Sequence, residues 1–317
     1  MCSSCLFPNP ILGGPTFALS TSGSTIAMQA KHNSFETIVE IYDREKEGYK
    51  KKRPSIHQPP DLFSGRELAA GSFLFHGFYL SLSTSGDVIA IGSLHGTYAV
   101  DSVTSASLTV QVYSWKKQST TWEPLGGSLF FEDHLYSVTI DDFFSSKQKV
   151  EGLPLQSVVL AGDSETLTLA VASQFPFAGV QVYKWSVQRE DWEKAGRILS
   201  GKNVGDAIFG YSLDLSVDGS ILAVGSDSQS DNATITIFEW NGANYQQLWN
   251  PIPGGQASSV SLSPDGKSVA VGLPFNNGGT TNVYGLTSKC PGSSSLFRVS
   301  FTTDENGEEN QWDVRSM

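Results

Sequence analysis

The sequence predicts an all-β fold, a β-propeller of five four-stranded blades, and three observations predict it. A hairpin signature recurs five times, two further strand signatures follow it in a constant order, and no stretch of useful length has helical periodicity. The clearest copy is Phe209 to Gly225, FGYSLDLSVDGSILAVG. Ser212, Asp214 and Ser216 alternate with Leu213 and Leu215, the period of a strand with one apolar and one polar face. Asp218-Gly219 supplies the turn, read as a tight two-residue loop because both residue types tolerate positive φ. Ile221 to Val224 is almost wholly apolar, as a strand buried on both faces must be.

The other copies are FALSTSGSTIAM (Phe17 to Met28), LSLSTSGDVIAIG (Leu80 to Gly92) and VSLSPDGKSVAVG (Val260 to Gly272). Ser157 to Val171 is a degenerate copy with a longer turn, and Ala27, Ala90, Ala170, Ala223 and Ala270 anchor the alignment. Each is followed by a β-branched and aromatic run: IVEIYD, LTVQVYSW, GVQVYKW, ITIFEW and TNVYGL. A third piece closes most units, as in TTWEPLGGSL (Thr120 to Leu129), EDWEKAGRIL (Glu190 to Leu199) and YQQLWNPIPGG (Tyr245 to Gly255). The 18 Phe, 10 Tyr and 7 Trp recur at matched positions, which points to packing between blades rather than to a sugar-stacking face.

A propeller must close, and Asn9 to Met28 aligns with Asn250 to Val271 through NPILGG and NPIPGG. The N-terminal strand, Leu6 to Gly13, is therefore expected to pair with the last blade and leave no open sheet edge. On this reading the propeller spans 6–288, residues 289–295 are a linker rich in Pro, Gly and Ser, and 296–317 are a hairpin that begins a truncated β module or tail. Two insertions stand out, His95 to Ala106 and Phe130 to Gly152. The second leaves a sixth blade open as an alternative count.

Composition narrows function mainly by exclusion. A formal net charge of -11 argues against nucleic acid and anionic lipid as partners, and no apolar run is long enough to span a membrane. The one basic run, Lys50 to Arg53, reads as a solvated loop. Three cysteines are too few for a disulfide scaffold; a bridge between Cys5 and Cys290 at the closing seam is an alternative to free thiols. The N-terminus lacks the charged and apolar regions of a signal peptide. Asn232-Ala233-Thr234 is a possible glycosylation sequon and the one pointer to export.

For chemistry, the inner strand is expected to line the central channel. Its polar positions are Ser20, Ser81, Ser83, Ser212, Asp214, Ser216, Ser261 and Ser263, and only Asp214 is acidic. One carboxylate cannot serve as both acid and base of a glycosidase, so a pair would need loop acids such as Asp133, Asp141 or Asp142. His32, His57, His76, His95 and His134 share no motif and read as turn or loop residues. No catalytic, cofactor or metal site is assigned. The densest cluster is the insertion carrying Glu132, Asp133, His134, Tyr136, Asp141 and Asp142, taken as a candidate binding loop or as an acidic surface with an extra strand.

FGYSLDLSVDGSILAVGS and FHGFYLSLSTSGDVIAIGS resemble the FG-GAP-type repeats of integrin α-chain propellers, and SLSPDGKSVAVG is similar to the WD-like units of bacterial propellers. The likeness covers roughly 6–288 and implies the fold. Integrin repeats often carry a calcium loop of alternating aspartates, which the turns STSGS, STSGD, SVDGS and SPDGK do not reproduce, so no calcium site is implied. The expectation is a monomeric, non-catalytic binding module, extracellular or surface-attached, with a protein or glycan ligand. The alternative is a carbohydrate-active enzyme built on Asp214 and loop acids.

Overall fold

A computed structural model of the chain describes residues 17–33, 36–58, 73–99, 102–133, 157–163, 165–173, 179–200, 207–228, 233–253, 259–273, 280–285, 297–302 and 311–316. These form five antiparallel sheets, the blades of a five-bladed β-propeller, with no helix among the described residues. The first blade contains β1 (Phe17–Leu19), β2 (Thr25–Asn33), β3 (Glu36–Glu45), β4 (Gly48–Lys51) and β5 (Ile56–Gln58). The second contains β6 (Phe73–Leu82), β7 (Val88–Ala99), β8 (Ser102–Lys116), β9 (Thr121–Pro124) and β10 (Leu129–Asp133). The third has β11 (Ser157–Ala161), β12 (Thr168–Ser173), β13 (Gly179–Ser186) and β14 (Asp191–Lys194). The fourth has β15 (Ala207–Leu215), β16 (Ile221–Ser228), β17 (Thr234–Trp240), β18 (Tyr245–Gln247) and β19 (Ile252–Pro253). The fifth has β20 (Ser259–Leu262), β21 (Ser268–Leu273), β22 (Thr280–Gly285), β23 (Phe297–Thr302) and β24 (Gln311–Ser316).

Strand alternation gives every blade two unlike faces. The anchoring alanines lie on one of them, in the cross-strand rows Ala18-Ala27-Ile41, Ser81-Ala90-Val112, Val159-Ala170-Val182 and Asp214-Ala223-Ile237. This small-residue face looks forward, onto the bulky back face of the next blade. Ala27 and Ile41 meet Leu80, Leu82, Ile89 and Ile91; Ala90 and Val112 meet Val158, Leu160, Leu169 and Val171. Ala170 and Val182 meet Leu213, Leu215, Leu222 and Val224, and Ala223 and Ile237 meet Val269 and Val271. Small against large is what lets two sheets approach without voids. Four apolar clusters thus hold the five blades in series, and they carry the core.

Several expectations change. The inner turns are not two-residue loops. Ser216 N–H bonds Ile221 C=O across Val217 to Ser220, and only Gly219, at φ 65°, is left-handed. Asp218 does not take positive φ, and its carboxylate accepts from the Ser216 hydroxyl at 2.6 Å and the Ser220 N–H at 2.9 Å, closing the turn locally. The closing strand is also different. The free edge of β22 pairs with β23, Tyr284 opposite Arg298, and β24 follows, so the C-terminal hairpin extends the fifth sheet. Residues 6–13, expected on that edge, lie outside the described residues, as do Cys5 and Cys290. Within the His95 to Ala106 insertion, residues 95–99 and 102–106 are not loop but strand, belonging to β7 and β8, which pair there. The basic run is not a loop either. Lys50 and Lys51 lie on β4, Lys50 and Lys52 pair with Glu45, Lys51 pairs with Glu40, and Arg53 turns inward.

Candidate functional site

Each inner strand, β1, β6, β11, β15 or β20, has one paired edge and one edge toward the axis, so its side chains point sideways at neighbouring blades. The polar inner-strand residues therefore do not line a channel. Seven of the eight, all but Ser212, divide into two structural sets.

Ser20, Ser83 and Ser216 are buried turn caps. The Ser20 hydroxyl accepts the N–H groups of Ser24 and Thr25, Ser83 that of Val88, and Ser216 that of Ile221. Ser263 repeats this with Lys267 and Ser268. Such hydroxyls satisfy backbone donors that a sharp turn would otherwise bury unpaired.

The second set bridges blades. Ser81 Oγ accepts the N–H of Leu160 at 2.8 Å, and Asp214 Oδ2 accepts the N–H of Leu262 at 2.7 Å at the equivalent register position. Asp214 also accepts from Ser261 Oγ at 3.2 Å and from its neighbour Leu215 N–H at 2.9 Å. Burial pushes the Asp214 carboxyl above its ordinary value, against the pull of the Leu262, Leu215 and Ser261 donors. A raised carboxyl in an enzyme invites an acid role. Here Oδ2 is engaged across the fourth-to-fifth joint and Oδ1 by the neighbouring Leu215 N–H of the same strand, which makes Asp214 a fastening.

An outer set of contacts repeats in the same way. Asp191 Oδ1 accepts the N–H of Gly127 and Asn244 Oδ1 that of Arg197, each reaching back one blade. The matched aromatics are cross-strand pairs: Trp115 with Trp122 at 5.4 Å, Trp185 with Trp192 at 5.5 Å, Trp240 with Tyr245 at 5.1 Å. Trp192 Nε1 donates to Leu125 C=O of the preceding blade. Cations lie over these rings, Arg53 over both Trp115 and Trp122 and Lys184 over Trp240. Arg53 also binds Asp43, Asp87 and the Gly86 carbonyl. The aromatics thus pack between blades, as their spacing implied.

Of the candidate binding loop, Glu132 and Asp133 fall on β10, opposite Ser107 and Ala106 of β8. That places them at the end of the blade remote from the serine-rich turns. His134, Tyr136, Asp141 and Asp142 lie outside the described residues, and so does Asn232. Four histidines occupy strands rather than turns: His32 in β2, His57 in β5, His76 in β6 and His95 in β7. His76 and His95 are register partners, a juxtaposition hidden in sequence by the residues between them. Among the described residues no group of three or more His, Cys, Asp or Glu is placed to hold a metal ion, and no helix is long and apolar enough to cross a membrane.

No protein-family model matches the chain, and no curated protein matches it. Solved structures do. A functionally unknown protein from Desulfotomaculum acetoxidans is similar over 95% of this chain and 68% of its own, at 12% identity and TM-score 0.47. A provisionally assigned 6-phosphogluconolactonase from Bacteroides uniformis covers 95% and 84%, at 10% identity and TM-score 0.47. Hsv2p of Kluyveromyces lactis covers 95% and 96%, at 13% identity and TM-score 0.40. These values carry nothing about function, and the class of the protein, a five-bladed β-propeller, rests on its own strand order and register.

Proposed function

We propose that this chain is a non-catalytic interaction module, a propeller scaffold that presents the loops at the Glu132 end of its blades to a protein or glycan. The observation that carries the reading is the commitment of Asp214, the single inner-strand acid, to the Leu262 and Leu215 N–H groups and the Ser261 hydroxyl. A glycosidase would need that carboxyl free and a second one across from it. Loops on a rigid scaffold are where such modules bind. An extracellular or surface setting belongs to the same proposal and is checked by a glycosidase-sensitive mobility shift that depends on Asn232.

The test is a glycan and protein array probed with the folded chain, repeated with residues 134–142 replaced by a Gly-Ser linker. Capture of a ligand that is lost on replacement, with the unfolding midpoint unchanged, is the expected result. Turnover of a glycoside panel by the native chain and its loss in Asp214→Asn would overturn the proposal in favour of an enzyme.

A further inference from the structure

His76 and His95 stand opposite one another on β6 and β7, and the turn that joins these strands fixes what kind of pair they make. Ser83 N–H donates to Val88 C=O at 2.9 Å, and from there the register runs without a bulge through Leu82 with Ile89 to Phe73 with Tyr98. In an antiparallel ladder, hydrogen-bonded and non-hydrogen-bonded pairs alternate. Ser83 with Val88 is of the bonded kind, so Leu82 with Ile89 is not, and the same alternation makes His76 with His95 a non-hydrogen-bonded pair. Such pairs bring their Cα atoms to about 4.5 Å, the closest approach that residues on one face of a sheet make.

Nothing in the repeat calls for histidine at this level. Aligned on Ala90 and Ala223, the matching pair of the fourth blade is Ala207 with Ser228. The row of the second blade continues to an acid: His95 is opposite Ser107, Ser107 is opposite Glu132, and Asp133 is next along β10. The histidine pair lies near the end of its ladder, past the buried level of Leu80 and Ile91. It does so in a chain whose formal net charge of -11 draws cations.

We propose that the His76–His95 pair is a binding site for a divalent transition-metal ion of the zinc or nickel kind. Imidazole nitrogen suits these ions, whereas calcium and magnesium require oxygen donors. Two histidines fixed on neighbouring strands make the second metal bond intramolecular, so the pair binds more tightly than either alone. Two ligands from the chain leave the remaining positions to water or to a donor on a bound partner, where a closed structural zinc site takes four. The ion is therefore exchangeable, and the blade folds without it. The site stands on the ladder alone and does not depend on what the loops at the Glu132 end bind.

The test is calorimetric titration of zinc into the full chain with Cys2, Cys5 and Cys290 changed to Ser, which removes competing thiols. The expected result is one zinc ion per chain, bound about a hundredfold more weakly after His76→Gln or His95→Gln and equally well after His57→Gln. No uptake of zinc, or an affinity that neither His76→Gln nor His95→Gln lowers, overturns the inference. A reading on the unsubstituted chain is immune to any folding defect in the variants: acylation of histidine by diethyl pyrocarbonate, mapped by peptide mass spectrometry with and without zinc. Zinc is expected to slow the modification of His76 and His95 together and to leave that of His57 as it was. Equal rates at His76 and His95 in the presence and absence of zinc would show that neither is a ligand.

Discussion

Replacing Asp214 with alanine is expected to destabilise the chain by about 2 kcal/mol, because it strips a charged acceptor from two N–H groups and a hydroxyl and leaves the Leu262 donor unpaired between blades. Serine, the residue used at the equivalent position 81, keeps one acceptor and discards the buried charge, so Asp214→Ser is expected to cost less than 1 kcal/mol or nothing. The pH dependence separates the two effects. The Asp214 carboxyl sits higher in the folded chain than the ordinary value near 3.9, so the native state holds the proton more tightly. Its favourable contribution is full below the unfolded value and is lost as pH rises through the raised folded one. Measured by urea unfolding from pH 3 to 7, the stability of Asp214→Ser relative to the native chain should therefore climb across that rise and then level off. A relative stability that falls with pH would show that the donors outweigh burial, and the account of this joint would be wrong.

Three further outcomes follow from the same contacts. Gly219→Ala should lower stability by roughly 1–3 kcal/mol, since it combines left-handed strain with a collision at Thr168, whereas Gly242→Ala, left-handed but open around its Cβ position, should cost about 1 kcal/mol; thermal unfolding distinguishes them. Arg53→Ala should cost about 2 kcal/mol, and Arg53→Lys should restore little of it, because a planar guanidinium is needed to stack on Trp115 and Trp122 while binding Asp43 and Asp87; double-mutant cycles with Asp43 measure the coupling. At Asp218, burial pushes the carboxyl up but the Ser216 and Ser220 donors hold it below the usual range, so its contribution is present above the unfolded value near 3.9 and lost as pH falls through the folded one. Asp218→Asn should flatten the acid limb of the stability profile, and a limb unchanged in slope would remove Asp218 from it.

The repeat was legible because it is written in local chemistry. Alanine anchors, serine-flanked turns and Trp pairs each solve a short-range problem, and all three reappear where the spacing placed them. What escaped the sequence is the direction in which side chains leave the inner strand. Alternation shows that Ser81 and Asp214 share a face with alanines, but only the sheet order shows that this face meets another blade instead of the axis. The closing strand was misjudged for a related reason. NPIPGG does pair with a third strand, Ile252 opposite Ile235, so its N-terminal likeness was a fair guide to local preference. In the fifth blade the same edge is taken by β23, a competitor the pattern does not reveal. The turn type was misread because Asp218 hydrogen-bonds locally, and the cross-strand meeting of His76 with His95 needs the full ladder register to appear.

The two unlike faces of each blade have a bearing on how such a chain can change. Since every unit is thick on one side and thin on the other, units stack only head to tail, as tiles with a tongue and a groove do. A tandem duplication of one unit brings its own matched surfaces with it, so the new copy fits its neighbours wherever it lands, and what alters is the angle each wedge must subtend. The loosely matched third unit, with its longer turn at Gly162 and its intact Ala170 and Val182, shows how far the rest of a tile can drift while those mating surfaces are kept.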